Sequence, residues 1–256
     1  MAQIIDGKKI STQIKDEVKE QVAALKQKGI DVTLAVIQIG KDPASTVYVG
    51  NKKKACEYVG IRSLAYELPE ETSEQELLEL VQSLNAKEDV DGILVQLPLP
   101  KHIDEDKVIR TISPDKDVDG FHPESVGRLS IPVSVGRLWI GEKGFLSCTP
   151  AGIIQLLKRS GITIDGKECV IIGRSNIVGK PMGMLLLREN GTVTICHSHT
   201  PDLKTVAKRA DILVVAIGKA KFVDASYVKD GAAVIDVGMD RDENGKLCGD
   251  VDFASV

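Results

Sequence analysis

The sequence predicts an α/β protein of two domains, each built on parallel strands, with a cleft between them. Three observations carry that expectation. Short apolar runs alternate with amphipathic helical stretches along the whole chain, the pattern of parallel sheets covered on both faces. The run Glu168-Cys169-Val170-Ile171-Ile172 passes straight into a glycine turn at Gly173 and then into a helix, so the C-terminal half is expected to be Rossmann-like. A chain of 256 residues is long enough for two domains of ordinary size, each burying its own core.

Taken in order, residues 8–28 place Ile10, Ile14, Val18, Val22 and Leu25 at helical spacing and stop at Gly29, which predicts an amphipathic helix. Val32 to Ile39 is the first strong strand. Pro43 then opens a helix that carries Tyr48 and Lys52 and ends near Gly60. Ile61 to Leu68 reads as a strand, Glu74 to Ala86 as a helix, and Ile93-Leu94-Val95 as a short buried strand running into Gln96-Leu97-Pro98-Leu99-Pro100. The second half starts with a helix at Thr149-Pro150 and continues with strands at 169–172, 192–196, 212–216 and 233–237. Residues 119–147 form an irregular crossing. Within it Ser125-Val126-Gly127-Arg128-Leu129 recurs nine residues later as Ser134-Val135-Gly136-Arg137-Leu138, a local duplication and not a solenoid. The domain boundary is placed there, giving domains 1–121 and 122–256.

Composition narrows the partners. Hydrophobic residues make up 43% and charged residues 27%, as in a globular chain. A net charge of −4 argues against polyanions, and Lys52-Lys53-Lys54 is the only basic run, so no nucleic-acid partner is expected. No signal peptide or membrane span is read, and the cytoplasm follows as the default location. The 5 cysteines are odd in number and lack C-x-x-C spacing, which suits a reducing compartment. His102, His122, His197 and His199 show no ligand spacing, so no metal is expected.

The glycine turn is the first chemical signal. Backbone N–H groups at a helix start, with the helix dipole, favour an anion, so Gly173, Arg174 and Ser175 are expected at a pyrophosphate. The spacing is G-x-S-x-x-x-G, with Ser175 where a second glycine usually permits closest approach. The next strand, Thr192 to Cys196, runs into His197-Ser198-His199-Thr200, where a ribose-binding carboxylate usually stands. No acid is there, and Arg174 lies in the turn, so NADP is expected over NAD. Gly218 and Met239 follow two further strands, and strand carboxyl ends are where an open α/β sheet binds its ligand, so both are expected near the dinucleotide. In the first half, Tyr48 and Lys52 stand four apart on one helix and share a face. By residue type alone they also read as a rim tyrosine and a solvated lysine, and Asp119 as a turn residue before Gly120.

Tyr48-Val49-Gly50-Asn51-Lys52, Val95-Gln96-Leu97-Pro98-Leu99-Pro100, Pro114-Asp115-Lys116-Asp117-Val118-Asp119-Gly120-Phe121, Cys148-Thr149-Pro150 and the Gly173 turn occur in one order. In that order the chain resembles, over essentially its whole length, the bifunctional methylenetetrahydrofolate dehydrogenase/methenyltetrahydrofolate cyclohydrolase family. The resemblance implies reversible hydride transfer from methylenetetrahydrofolate to NADP, then hydrolysis of the methenyl cation to formyltetrahydrofolate at the same site. It also implies a homodimer, a role for Ser198 at the adenosine end, and a family pattern that continues past Val256 into a Pro-Gly-Gly turn and closing helix. The chain is on that ground expected to be truncated at its C-terminal end.

The residue types suit this chemistry. Asp119 can accept two parallel N–H bonds from an aminopyrimidinone edge, while Tyr48 stacks on the pterin and Leu97 and Pro98 form a stiff wall. Beside a methenyl cation, the Lys52 ammonium would feel like-charge repulsion of about 4 kcal/mol at 4 Å and an effective dielectric of 20, which favours a neutral amine. That amine can take a proton from the attacking water and return it as the ring opens. The Gln96 amide oxygen can orient it, where a carboxylate would hold it charged. Hydride transfer needs only placement of donor carbon and nicotinamide within about 3–3.5 Å. Two other readings stand beside this one: an NADP-binding regulatory or interaction protein of the same fold with lost turnover, and an amino-acid or hydroxy-acid dehydrogenase of similar two-domain build.

Overall fold

The computed structural model describes residues 3–122 and 145–256. The Ser125–Leu129 and Ser134–Leu138 repeat lies outside the described residues. Two compact units divide the chain, Gly7–Leu146 in one and Ser147–Val256 with the first six residues in the other.

The first unit contains α1 (Gly7–Gln27), β1 (Thr33–Ile39), α2 (Pro43–Val59), β2 (Arg62–Leu68), α3 (Glu74–Asn85), β3 (Gly92–Val95) and α4 (Glu105–Thr111). Its sheet has the order β2-β1-β3, all parallel, with β1 paired from Thr33↔Arg62 to Ile39↔Leu68 on one side and from Leu34↔Gly92 to Ile37↔Val95 on the other. Both faces are covered, and this explains why β1 reads as a nearly unbroken apolar run. Ala35, Ile37 and Ile39 pack with Leu77, Val81, Leu84, Ile93 and Val108, while the opposite-facing Val36 and Leu94 pack with Val49 of α2.

The second unit holds α5 (Cys148–Arg159), β4 (Glu168–Ile172), α6 (Gly179–Arg188), β5 (Thr192–Cys196), α7 (Leu203–Ala207), β6 (Ile212–Val215), a 3₁₀ turn (Ala225–Tyr227), β7 (Ala233–Asp236), β8 (Asp240–Arg241) and β9 (Leu247–Cys248). Its four-stranded sheet has the order β5-β4-β6-β7 and is parallel throughout, while β8 and β9 form a small antiparallel ladder. Val170, Ile172, Leu213 and Val215 pack with Cys196, Ala207, Tyr227 and Val251 on one face.

In both sheets the chain lays down a central strand first, adds the next on one side, then crosses to the other. That reversal is the switch point at which open α/β sheets bind ligands. It lies between β1 and β3 in the first sheet and between β4 and β6 in the second.

The predicted elements fall within a residue or two of their observed bounds. The helix expected from Thr149-Pro150 begins at Cys148, with Ser147 as its first flanking residue. Four features were not read from the sequence, α7 and the 3₁₀ turn among them, each five residues or fewer. Helix α4 is only seven residues long, too short for a periodic signal, although Asp104 caps it by accepting from the Lys107 N–H at 3.2 Å. The β8–β9 ladder is two residues per strand.

Leu213 is fully buried in β6. Leu213→Ala is therefore expected to destabilise the second unit by about 2–5 kcal/mol, read as a lowered urea midpoint for its unfolding.

Candidate active site

Helix α2 is fixed at both ends. Asp42 accepts from the Ser45 N–H at 2.8 Å, Pro43 supplies the first turn, and Gly60 closes the helix in a left-handed conformation at φ 86°. Buried Gln38 of β1 donates to Thr46 Oγ1 at 3.0 Å, tying the first turn of α2 to the carboxyl end of the sheet. One and two turns on from Ser45 come Tyr48, 42% exposed, and Lys52, half-buried. Lys53 and Lys54 are exposed, so within the basic run only Lys52 turns inward.

Strand β3 delivers the partner. The ladder extends one residue past Val95, with the Gln96 N–H donating to Ile37 O at 2.8 Å. Lys52 Nζ donates to Gln96 Oε1 at 3.1 Å, and Gln96 Nε2 donates to Leu97 O at 2.7 Å. The second bond fixes the amide with its oxygen toward the amine. Leu97 is half-buried, Pro98 is exposed, and the peptide between them is cis.

Asp119 reaches the same place from the far edge of β3. The Ile93 N–H donates to Lys116 O at 2.7 Å and Ile93 bridges Asp117 in parallel, so residues 116–117 act as a short extra strand. Lys116 Nζ donates to the Leu84, Asn85 and Lys87 carbonyls at 3.2, 2.9 and 2.6 Å, capping the C-terminus of α3. The buried Asp117 carboxylate accepts from the His122 N–H at 2.8 Å. A Cβ at Gly92 would press on Val118, which keeps the segment against β3. Burial raises the Asp119 carboxyl above the usual carboxylate range, the Lys52 ammonium opposes that rise, and the Asp117 charge adds to it. Tyr48, Lys52, Gln96, Leu97, Pro98 and Asp119 all belong to the first unit, and Lys52 lies within electrostatic reach of both Gln96 and Asp119.

In the second unit Gly173 has φ 129°, and a Cβ there would collide with the Ala216 carbonyl oxygen across the switch point. A Cβ at Gly179 would strike the Gly173 carbonyl. The turn therefore admits only glycine at these two places. Ser175 does more than replace a glycine: its hydroxyl accepts from the Val178 and Gly179 N–H groups at 3.1 and 3.2 Å. Two donors expected to face an anion are thus already used inside the helix cap. Arg174 and Ser175 are exposed. Ser198 is also exposed, in a turn closed by His197 N–H to Thr200 Oγ1 at 2.9 Å and Thr200 N–H to His197 O at 2.9 Å.

Gly218, at φ 63°, and Met239, 57% exposed, follow β6 and β7. Sequence reasoning missed what holds them. Asp236 and Asp250 accept backbone N–H bonds on both turns, and burial together with those two carboxylates pushes Asp240 up. The signal was available in Gly238 and Gly249, where a Cβ would run into Asp250 and Asp236.

These residues fit a dinucleotide. A Cβ at Gly218 would meet only Asp240 Oδ1, at 4.0 Å, leaving open space over a strand end, and residues 197–200 place no carboxylate opposite Arg174's turn. The thiols of Cys56, Cys169 and Cys196 are buried and pushed up, Cys169 to about 11, so they are packing groups; Cys148 is exposed.

A parallel sheet with its amine–amide pair at one switch point, and a second with a glycine turn at another, is the arrangement of a two-domain dehydrogenase. The catalytic-domain pattern of tetrahydrofolate dehydrogenase/cyclohydrolase matches residues 5–119, and its NAD(P)-binding-domain pattern matches residues 147–256. The chain belongs to the tetrahydrofolate dehydrogenase/cyclohydrolase family. It is 72% identical over 256 residues to the bifunctional protein FolD of Lachnoclostridium phytofermentans, covering all of this chain and 88% of that one. The crystal structure of the FolD methylenetetrahydrofolate dehydrogenase/cyclohydrolase from Campylobacter jejuni superposes with a TM-score of 0.92 at 48% identity, over 99% of this chain and 87% of that one. The Trypanosoma brucei methylenetetrahydrofolate dehydrogenase-cyclohydrolase, complexed with NADP cofactor and inhibitor, gives 0.89 at 38% identity over 99% and 86%.

Because the Asp119 carboxyl is raised on folding, its ionisation opposes stability above the usual carboxylate range and has no effect well below it. Asp119→Asn is expected to raise the melting temperature at pH 7, with the gain shrinking as pH falls through that range, measured by thermal unfolding at a series of pH values.

Proposed function

We infer that this chain is a bifunctional enzyme of one-carbon metabolism: it oxidises methylenetetrahydrofolate to methenyltetrahydrofolate with NADP and hydrolyses the product to formyltetrahydrofolate. The observation that carries the reading is the 3.1 Å hydrogen bond from Lys52 Nζ to Gln96 Oε1 beside the desolvated Asp119 carboxyl. A neutral amide oxygen orients the amine without adding a charge that would keep it protonated. With both family domains matched and high identity to bifunctional relatives, no finding favours a regulatory protein without turnover.

The residue roles follow from that chemistry. Asp119 accepts the N–H edge of the pterin, and Tyr48 presents its ring to the pterin face, with Leu97 and Pro98 as a wall. Lys52 takes a proton from the water that attacks the methenyl carbon and returns it as the ring opens, while Gln96 holds the amine in line. Bound NADP would supply the acceptor for the hydride of the methylene carbon. Gly173, Arg174, Ser175, Ser198, Gly218 and Met239 are the residues that would hold it, with Arg174 toward the 2′-phosphate. Residues 1–121 are the folate-binding catalytic domain and 122–256 the NADP-binding domain. The reading also makes the protein a cytoplasmic homodimer: its free cysteines suit a reducing compartment, and among the described residues no helix is long and apolar enough to cross a membrane.

Lys52→Met tests the proton transfer. The variant is expected to fold and to lose methenyl hydrolysis by about 10²–10⁴-fold, and normal hydrolysis in it would remove the mechanism. Arg174→Ala tests the cofactor assignment: KM for NADP is expected to rise about 10–100-fold while KM for NAD stays level, in a coupled assay with methylenetetrahydrofolate.

A further inference from the structure

Asp250 is fully buried, where an unpartnered carboxylate would be costly. It accepts from two backbone groups instead: Oδ2 from the Ile217 N–H at 2.8 Å and Oδ1 from the Lys219 N–H at 2.6 Å. The two bonds straddle Gly218, the residue that leaves the carboxyl end of β6 in a left-handed conformation. Asp250 is in turn held by β7. Its own N–H donates to Asp236 Oδ1 at 2.9 Å, the Val251 N–H donates to Asp236 Oδ2 at 3.1 Å, and the Gly238 N–H donates to Asp236 Oδ1 at 3.0 Å. The Lys221 N–H to Gly249 O and Val223 N–H to Asp250 O bonds, at 2.9 and 3.0 Å, return the lacing to the segment after β6. Glycine is required at 238 and 249 because the two carboxylates occupy the space of a Cβ.

We propose that Asp250 is a positioning residue for NADP: it fixes the peptide planes on either side of Gly218, and through Asp236 locks them to the turn carrying Met239. The proposal rests on the reading above that these two turns contact the dinucleotide. Fully buried, Asp250 would act on the cofactor only through those turns. A buried carboxylate can hold two donors at once because it has only acceptors, and each bond to a charged acceptor is stronger than one to a neutral oxygen. The strand-end turns would otherwise have several orientations open to them, and the dinucleotide would have to order them on binding.

Asp250→Asn keeps the shape but aims an amide NH₂ at one of the two backbone donors. KM for NADP in the dehydrogenase assay is expected to rise about tenfold, with methenyl hydrolysis, which uses no NADP, keeping its kcat and KM. Parallel loss of both reactions would mean a general structural role, and an unchanged KM for NADP would mean no role; either overturns the proposal. Should Asp250→Asn fail to fold, Asp236→Asn decides, since Asp236 is exposed at the end of β7. It is expected to give the same split with a rise of about threefold, and no rise overturns the proposal. Hydrogen exchange of the wild-type protein separates the underlying reading. NADP is expected to slow exchange in peptides covering 216–219 and 236–239. If it slows neither, the cofactor placement is wrong and the proposal falls with it; if it slows both while the variants keep their KM, only the positioning role falls.

Discussion

Strand order is the constraint on which the rest of this protein depends. In each unit the chain places its first strand centrally and then reverses the side on which it adds the next, β2-β1-β3 in one and β5-β4-β6-β7 in the other. Connections on the two sides of the first strand lead away to opposite faces, and the carboxyl ends between them stay open. The central residues assigned a role follow from that opening. Lys52 comes from the helix after β1 and Gln96 from the end of β3, so a pair separated by 44 positions in sequence meets across one switch point. Gly173 and Ala216 end the strands flanking the other, and their backbones are in contact there.

Once those ends are open, their polar groups need partners, and the two units answer differently. In the first, Gln96 continues the ladder through its backbone, which frees its side chain to hold the amine. The charge balance is what matters there. A carboxylate in place of Gln96 would stabilise the ammonium, whereas the carboxyl that is present, Asp119, is itself desolvated and raised. The amine thus lies between a neutral acceptor and an acid whose ionised form is disfavoured. On the function proposed above, this suits the proton transfer assigned to Lys52.

Much of this was legible in the sequence because the signals are local. Continuous β-branched runs such as Val170-Ile171-Ile172, short and closed by glycine, favour strands covered on both faces, and Gly173, Gly60 and Pro43 mark turn, helix end and helix start by their own backbone preferences. The pairing of Lys52 with Gln96 was legible only through the ordered motifs, since no spacing rule brings residue 52 to residue 96. The Ser175 hydroxyl adds something the local rule leaves out. The turn was read as open N–H groups facing an anion, and a serine in place of glycine brings an acceptor with it, which takes the Val178 and Gly179 N–H groups ahead of the helix. The lacing by Asp236 and Asp250 escaped for a further reason. It satisfies backbone groups that become orphaned only when the strands are assembled, so no window of sequence contains the demand it meets.

That lacing also explains an apparent cost. Asp236, Asp240 and Asp250 crowd negative charge at the end of a sheet read as holding a polyanionic cofactor, an arrangement that bulk electrostatics disfavours. The arrangement is tolerable because Asp236 and Asp250 are held by backbone donors, five N–H groups between them, and because desolvation, with the same neighbours, favours the neutral form of Asp240. Hydrogen-bonded in this way, a carboxylate presents its charge to peptide dipoles rather than to the ligand. Its effect on the cofactor is then transmitted through the geometry of the turns at Gly218 and Met239. A neutral side chain would remove the repulsion, but no uncharged residue of that size offers acceptors alone, and acceptors alone are what two converging N–H groups require.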